Sequence, residues 1–198
     1  KLSSLNDVSR IGVVSAKVKE AKDIYENHAS LLTKCRKKHA IQMQDKVTKL
    51  LSSLEINGAK FEILISPLDE SKSYGKERIE FRVATHEYTS ARPISEIASG
   101  GELSRISLAI QFVNIESISI PTLIFDEVDS GIGGRVSEII GRLLREVGSV
   151  NQVLCVTHLA QVASAANHQM RVTKERDDNG IQTKIEALNE NTRINEIS

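Results

Sequence analysis

The sequence has no Trp, and its aromatic content stops at four Phe and three Tyr, so any core must be aliphatic. Cysteine is nearly absent as well. Cys35 and Cys155 share no close spacing, which excludes a zinc or Cys-x-x-Cys redox motif and suggests a reducing compartment. Net charge is missing too: 26 Lys and Arg balance 26 Asp and Glu, so there is no global electrostatic case for nucleic acid, and a DNA contact would need a local patch. No run of about eighteen apolar residues exists, so no membrane span is expected, and no signal peptide is recognisable. What is present is 198 residues, 40% of them apolar, room for one to two domains with a proper core. The chain opens on Lys1 rather than Met, with a helical pattern soon under way, and reads as a piece of a longer protein.

From residue 8 to about 54 there is no Pro, and Gly12 is the sole Gly. Ile11, Val14, Val18, Ala21, Tyr25, His28, Leu32 and Cys35 step by alternating threes and fours, the seam of a coiled coil. A plain amphipathic surface helix is the alternative. Beyond Cys35 the spacing drifts through His39, Met43, Val47, Leu50 and Leu54, as at a stutter or where a helix docks on a globular head. Lys34, Arg36, Lys37 and Lys38 read as a solvated basic face. Asn57-Gly58 is expected to end the helix. Phe61–Ile65 and Arg78–Val83 read as strands of a hairpin around a polar, flexible Glu70–Lys76, and His86–Pro93 as a loop.

The chemistry concentrates in residues 99 to 131. Ser99-Gly100-Gly101-Glu102 opens a helix whose apolar stripe is Leu103, Ile106, Ala109, Ile110 and Val113, and which should run to about Ser117. Ser99 is a candidate N-cap, with Glu102 three residues on as in a capping box. Free amides and the positive end of the helix dipole make such a start suitable for phosphate. Thr122–Phe125, after Pro121, reads as a strand buried on both faces. Asp126 and Glu127 follow it, at the strand end where open α/β sheets bind ligands, and adjacent carboxylates there suit Mg²⁺ and an attacking water. Gly131, Gly133 and Gly134 turn into a helix striped by Val136, Ile139, Ile140, Leu143, Leu144 and Val147, ended by Gly148. A second buried strand, Val153–Val156, carries Cys155 as plain core and His158 just past its end. A short helix over 159–165, strands over 169–174 and 181–188 joined by Asp177-Asp178-Asn179-Gly180, and a frayed polar tail after Asn189 complete the chain.

These motifs, in this order, resemble the second half of an ATP-binding-cassette (ABC) ATPase head. Ser99-Gly100-Gly101-Glu102 resembles the signature motif, Leu123–Glu127 the Walker B strand with its catalytic Glu, Val128-Asp129-Ser130-Gly131 the D-loop and His158 the switch histidine. The finer wording, Ala98–Ala109 followed by Phe125–Gly134, resembles the RecN family of bacterial DNA repair proteins, relatives of the SMC (structural maintenance of chromosomes) family. No P-loop is present: the sole Gly-Lys, Gly75-Lys76, is followed by Glu77, and residue 70 is Glu.

The resemblance implies an α/β fold, the C-terminal half of an ABC/SMC-type head over residues 57–198, with residues 1–56 as the returning helix of a coiled-coil arm. It implies ATP and Mg²⁺ as cofactors, both needing the N-terminal half of the head, and as partners that half, a second head in a homodimer, and DNA. The implied function is ATP-dependent repair or recombination of double-strand breaks by a cytoplasmic, nucleoid-associated protein, with no membrane. By the same resemblance, Ser99, Gly100, Gly101 and Glu102 face the γ-phosphate held by the other head, Asp126 holds Mg²⁺, Glu127 deprotonates the water, His158 senses the γ-phosphate and Asp129 couples the two sites. This chain alone is expected to be inactive. The alternatives are a chromosome-organising SMC head and a coiled-coil scaffold with an inactive head.

Overall fold

The computed structural model describes residues 2–115, 120–126, 128–129, 132–177 and 180–197. The first element, α1 (Leu2–Ser53), is a 52-residue helix, about 78 Å long at 1.5 Å per residue. Its character changes along its length. Every side chain from Arg10 to Ile24 is exposed, whereas Ala29, Ala40, Val47, Leu51 and Leu54 are buried.

The helix ends earlier than Asn57-Gly58 suggests. Glu55 takes the left-handed position (φ 61°), its amide bonding Ser52 O at 3.2 Å, while the Ile56 amide reaches Leu51 O at 3.0 Å. This is a Schellman closure, and it brings buried Ile56 back onto buried Leu51. The apolar contact fixes the end of the helix, and Gly58 (φ 76°) serves the following turn, where a side chain would come within 3.1 Å of the Glu87 amide.

β1 (Lys60–Lys72) and β2 (Gly75–Ala84) form one long antiparallel hairpin, with Lys72 opposite Gly75 and a register shift between Pro67 and Lys72. The polar stretch from Glu70 to Lys76 is therefore largely strand. Its stability comes from α1, alongside which it lies. Tyr25 donates to Lys72 O at 2.8 Å, Arg36 donates to Tyr74 O at 2.6 Å and to Glu77 at 2.8 Å, and Thr33 also donates to Glu77. Lys76 pairs with Glu26. Near the root, α1 also satisfies the free edge of β1: Gln44 accepts from the Ile63 amide at 2.8 Å and Thr48 from the Phe61 amide at 3.0 Å. Four residues of helix and two of strand each advance about 6–7 Å, so the spacings match. Within the expected loop, β3 (Arg92–Pro93) adds a short third strand beside β2.

α2 (Gly100–Ile115) buries Ile106, Leu108, Ala109 and Phe112. β4 (Thr122–Phe125) pairs in parallel with β5 (Gln152–Cys155), Phe125 opposite Cys155. α3 (Arg135–Val147) and α4 (Ala160–Ser164) follow β4 and β5 in sequence, and Val136, Ile140, Leu144 and Val162 join the core formed by the α1 root, α2 and Phe125. The rings of Phe112 and Phe125 stack at 5.7 Å, fastening α2 to β4.

Burial of β4 and β5 on both faces does not hold in this chain. Phe125 is buried, but Ile124 is 71% exposed, Leu154 49% and Val156 62%. The alternate residues point to a face that no described element covers.

β6 (Met170–Asp177) and β7 (Gly180–Ala187) pair as the expected hairpin. The polar tail is ordered as α5 (Glu190–Ile197). Asn189 caps it, accepting from the Thr192 amide at 2.9 Å, and Arg193 donates to the carbonyls of Ala166 at 2.8 Å and Asn167 at 3.3 Å.

Candidate functional site

Two groups of motif residues sit on separate elements. The first is the start of α2. Ser99 acts as its cap: its hydroxyl accepts from the Glu102 amide at 3.4 Å and its carbonyl from the Leu103 amide at 2.9 Å. The return bond from the Glu102 carboxylate, which would complete a capping box, does not form among the described residues. Gly100 is exposed, and a side chain added there would meet nothing within 4 Å. The packing of this chain therefore does not require glycine at that position, and its absent side chain leaves the helix start open. Arg105, one turn on, donates to Gly101 O at 3.2 Å and to Leu54 O at 3.1 Å, tying this helix to the last turn of α1.

The second group lies at the carboxyl ends of the parallel strands. The Val156 amide bonds Phe125 O at 2.8 Å and carries the ladder one step beyond β5. Asp126 follows β4 with an exposed side chain. Glu127, Ser130 and Gly131 lie outside the described residues. His158 stands three residues past β5, its side chain 72% exposed. Gly141 lets α3 approach the segment behind it, since a side chain there would come 2.9 Å from Ala165 Cβ and 3.1 Å from Gln161 O.

Asp129 lies beneath these groups, 1% exposed. Its Oδ2 accepts from the Thr157 hydroxyl, from the His158 amide at 3.0 Å and from the Leu159 amide at 3.3 Å, and the His158 Nδ1 is 3.3 Å away. Burial disfavours charge on this carboxyl, but the bonds from Thr157 and the His158 amide outweigh it and hold the pKa below the ordinary value. Burial, followed by the charges of Asp129 and Asp126, pushes the Cys155 thiol up to about 11, which makes it an inert core thiol at neutral pH. The bonds of Thr157 and Arg105 were not read from sequence. A hydroxyl next to the strand-end His was the available signal for the first, and nothing local marked the second.

Among the described residues no hydrogen bond joins the α2 start to Asp126 or His158, and no three His, Cys, Asp or Glu converge to hold a metal. A single exposed carboxylate still fits Mg²⁺, which keeps several waters and takes substrate phosphates for its remaining ligands. No helix among the described residues is long and apolar enough to cross a membrane.

No family model matches the chain. Among solved structures, the Smc head domain with a coiled coil and joint from Pyrococcus yayanosii aligns with a TM-score of 0.64 at 17% identity, over 82% of this chain and 29% of that one. A structure from a study of ATP-driven dimerization and DNA stimulated activation of SMC ATPases aligns with a TM-score of 0.58 at 19% identity, over 81% of this chain and 90% of that one. The fold is thus the C-terminal half of an SMC/ABC-type ATPase head led by a long helix. DNA repair protein RecN of Haemophilus influenzae is 42% identical over 167 residues, 84% of this chain and 30% of that protein. The chain belongs to the RecN family, and it spans about a third of the length of the curated relatives it matches.

Proposed function

We propose that this chain supplies the signature and Walker B half of a composite ATP site in a DNA double-strand break repair protein. Residues 57–198 form the lobe and residues 1–56 the arm and its root. The observation that carries the reading is the β4–β5 pair: apolar and open on one face, with Asp126 and His158 at its carboxyl ends. The N-terminal half of the head, with its P-loop, covers that face and completes the sheet. A second copy then closes over the nucleotide, the start of α2 from one head meeting the γ-phosphate held by the other.

Asp126 would hold Mg²⁺, and the ion would supply neutralisation of phosphate charge. Glu127 orients and deprotonates the attacking water, and His158 fixes its position against the γ-phosphate. The open amides and Ser99 hydroxyl at the α2 start stabilise charge on the transferred phosphoryl group. Turnover opens the clamp, and the resulting movement is applied to DNA. By itself the chain lacks the phosphate cradle and is inactive.

The test is to co-express the missing N-terminal half and measure ATP turnover, with and without linear duplex DNA, for the native pair and for Glu127→Gln. Turnover by the native pair, together with ATP binding but no turnover by Glu127→Gln, is the expected result. Equal turnover by both would overturn the assignment of the base, and robust turnover by residues 1–198 alone would overturn the half-site.

A further inference from the structure

We infer that Asp129 is a positioning residue within its own chain: its buried carboxylate, bonded by Thr157, sets the backbone and ring of His158. The inference rests on the ATPase reading above and assigns two residues of that site a specific task. A carboxylate 1% exposed cannot reach a second molecule without unpacking. What it reaches instead is the segment after β5. Two successive amides, of His158 and Leu159, point at one oxygen, and the Thr157 hydroxyl bonds the same atom. The Thr157 oxygen also accepts from the Leu159 amide at 3.0 Å, so the hydroxyl is held between the two.

The arrangement solves a local problem. The chain must turn sharply after β5, and its amides there have no strand or helix partner; α4 begins only at Ala160. A carboxylate from the neighbouring strand-end turn takes two of them, those of His158 and Leu159. Since Asp129 lies in the turn after β4 and His158 in the segment after β5, the bonds also lock the two strand ends to each other. The exposed His158 ring stays close to the same oxygen, its Nδ1 3.3 Å away, so the backbone bonds from His158 and Leu159 fix where the ring starts. Asp129 touches neither nucleotide nor water in this scheme. It acts through His158.

The experiment uses the full-length protein and follows kcat and KM for ATP. Asp129→Ala should lower kcat by about tenfold or more with KM changed less than about twofold, because the ring is misplaced while nucleotide binding is untouched. On a His158→Ala background the same change should cost nothing further, since the two residues act as a unit. Thr157→Ser should keep native kcat and Thr157→Val should lose a few-fold, which decides the matter even if Asp129→Ala fails to fold. Unchanged kcat in Thr157→Val and in folded Asp129→Ala, or full multiplicative loss in the double variant, would overturn the inference. Failure of the ATPase reading is distinguished by the native full-length protein, which would then show no ATP turnover, and failure of the base assignment by Glu127→Gln, which would turn over normally.

Discussion

The β1–β2 hairpin and the β4–β5 pair are both small sheets, yet the chain treats them differently. The hairpin is completed from within. α1 lies along it from Tyr25 to Thr48, satisfies the edge amides of Phe61 and Ile63, and joins it through Thr33, Arg36 and Glu77. The β4–β5 pair is completed on one face only. Phe125 is buried against Phe112, while Ile124, Leu154 and Val156 face outward. The difference is one of degree: Leu64, Ile79 and Phe81 of the hairpin are 36–44% exposed, whereas Ile124 is 71% and Val156 62% exposed. Asp126 and His158 follow the carboxyl ends of the less covered pair.

The comparison breaks most severely at the root. Leu51 is fully buried where α1, Ile56 and the hairpin base meet. Leu51→Ala should destabilise the chain by about 2–5 kcal/mol in urea unfolding, through lost transfer energy and the cavity left behind. A loss under about 1 kcal/mol would mean that the hairpin and α1 are not one cooperative unit.

Glu77 comes next. Its carboxyl is held below the ordinary value of 4.5 chiefly by the Thr33 hydroxyl, against burial, with Arg36 adding to the effect. Glu77→Gln should cost about 1–3 kcal/mol at neutral pH, because it strands the half-buried Arg36. The native contribution is complete above the ordinary pKa and is lost as pH falls through the lower folded value. Stability measured from pH 7 downward should therefore decline more steeply below about pH 4.5 in the native chain than in Glu77→Gln. Parallel acid limbs would remove Glu77 from the account.

Asn189→Ala should cost about 1 kcal/mol through loss of the α5 cap, read as faster amide exchange confined to residues 190–197. Exchange rates unchanged there would mean that the Arg193 bonds to Ala166 and Asn167 hold this helix by themselves.

What could be read from the sequence divides along the same line. Long periodic elements, α1 and α3, were legible because one face repeats over several turns. The motif residues were legible because their chemistry resides in residue type and order. The Glu70–Lys76 stretch was misread as flexible because its partners lie some forty residues upstream on α1. The tail was misread because its helix depends on a cap at Asn189 and on carbonyls at Ala166 and Asn167. The end of α1 was misplaced because Ile56 packing on Leu51 outweighed the glycine preference. The missing P-loop implied an exposed apolar surface for the absent half, but Thr122–Phe125 is written for burial on both sides, so the pattern did not say that Ile124, Leu154 and Val156 would form it.

The smallest effect tests that last point most directly. In this chain alone Ile124 contacts little, and Ile124→Ala should change stability by about 0.5 kcal/mol or less. If the N-terminal half covers this face as proposed, the substitution in the paired halves should cost about 2–4 kcal/mol or weaken association of the halves correspondingly. Leu51→Ala, by contrast, should cost the same in both settings, since its surroundings are already complete. The ratio of the two effects, measured with and without the N-terminal half, therefore isolates the open face from general fragility. An Ile124 effect that stayed small in the pair would leave the face uncovered and would require another explanation for a buried-type strand at the surface.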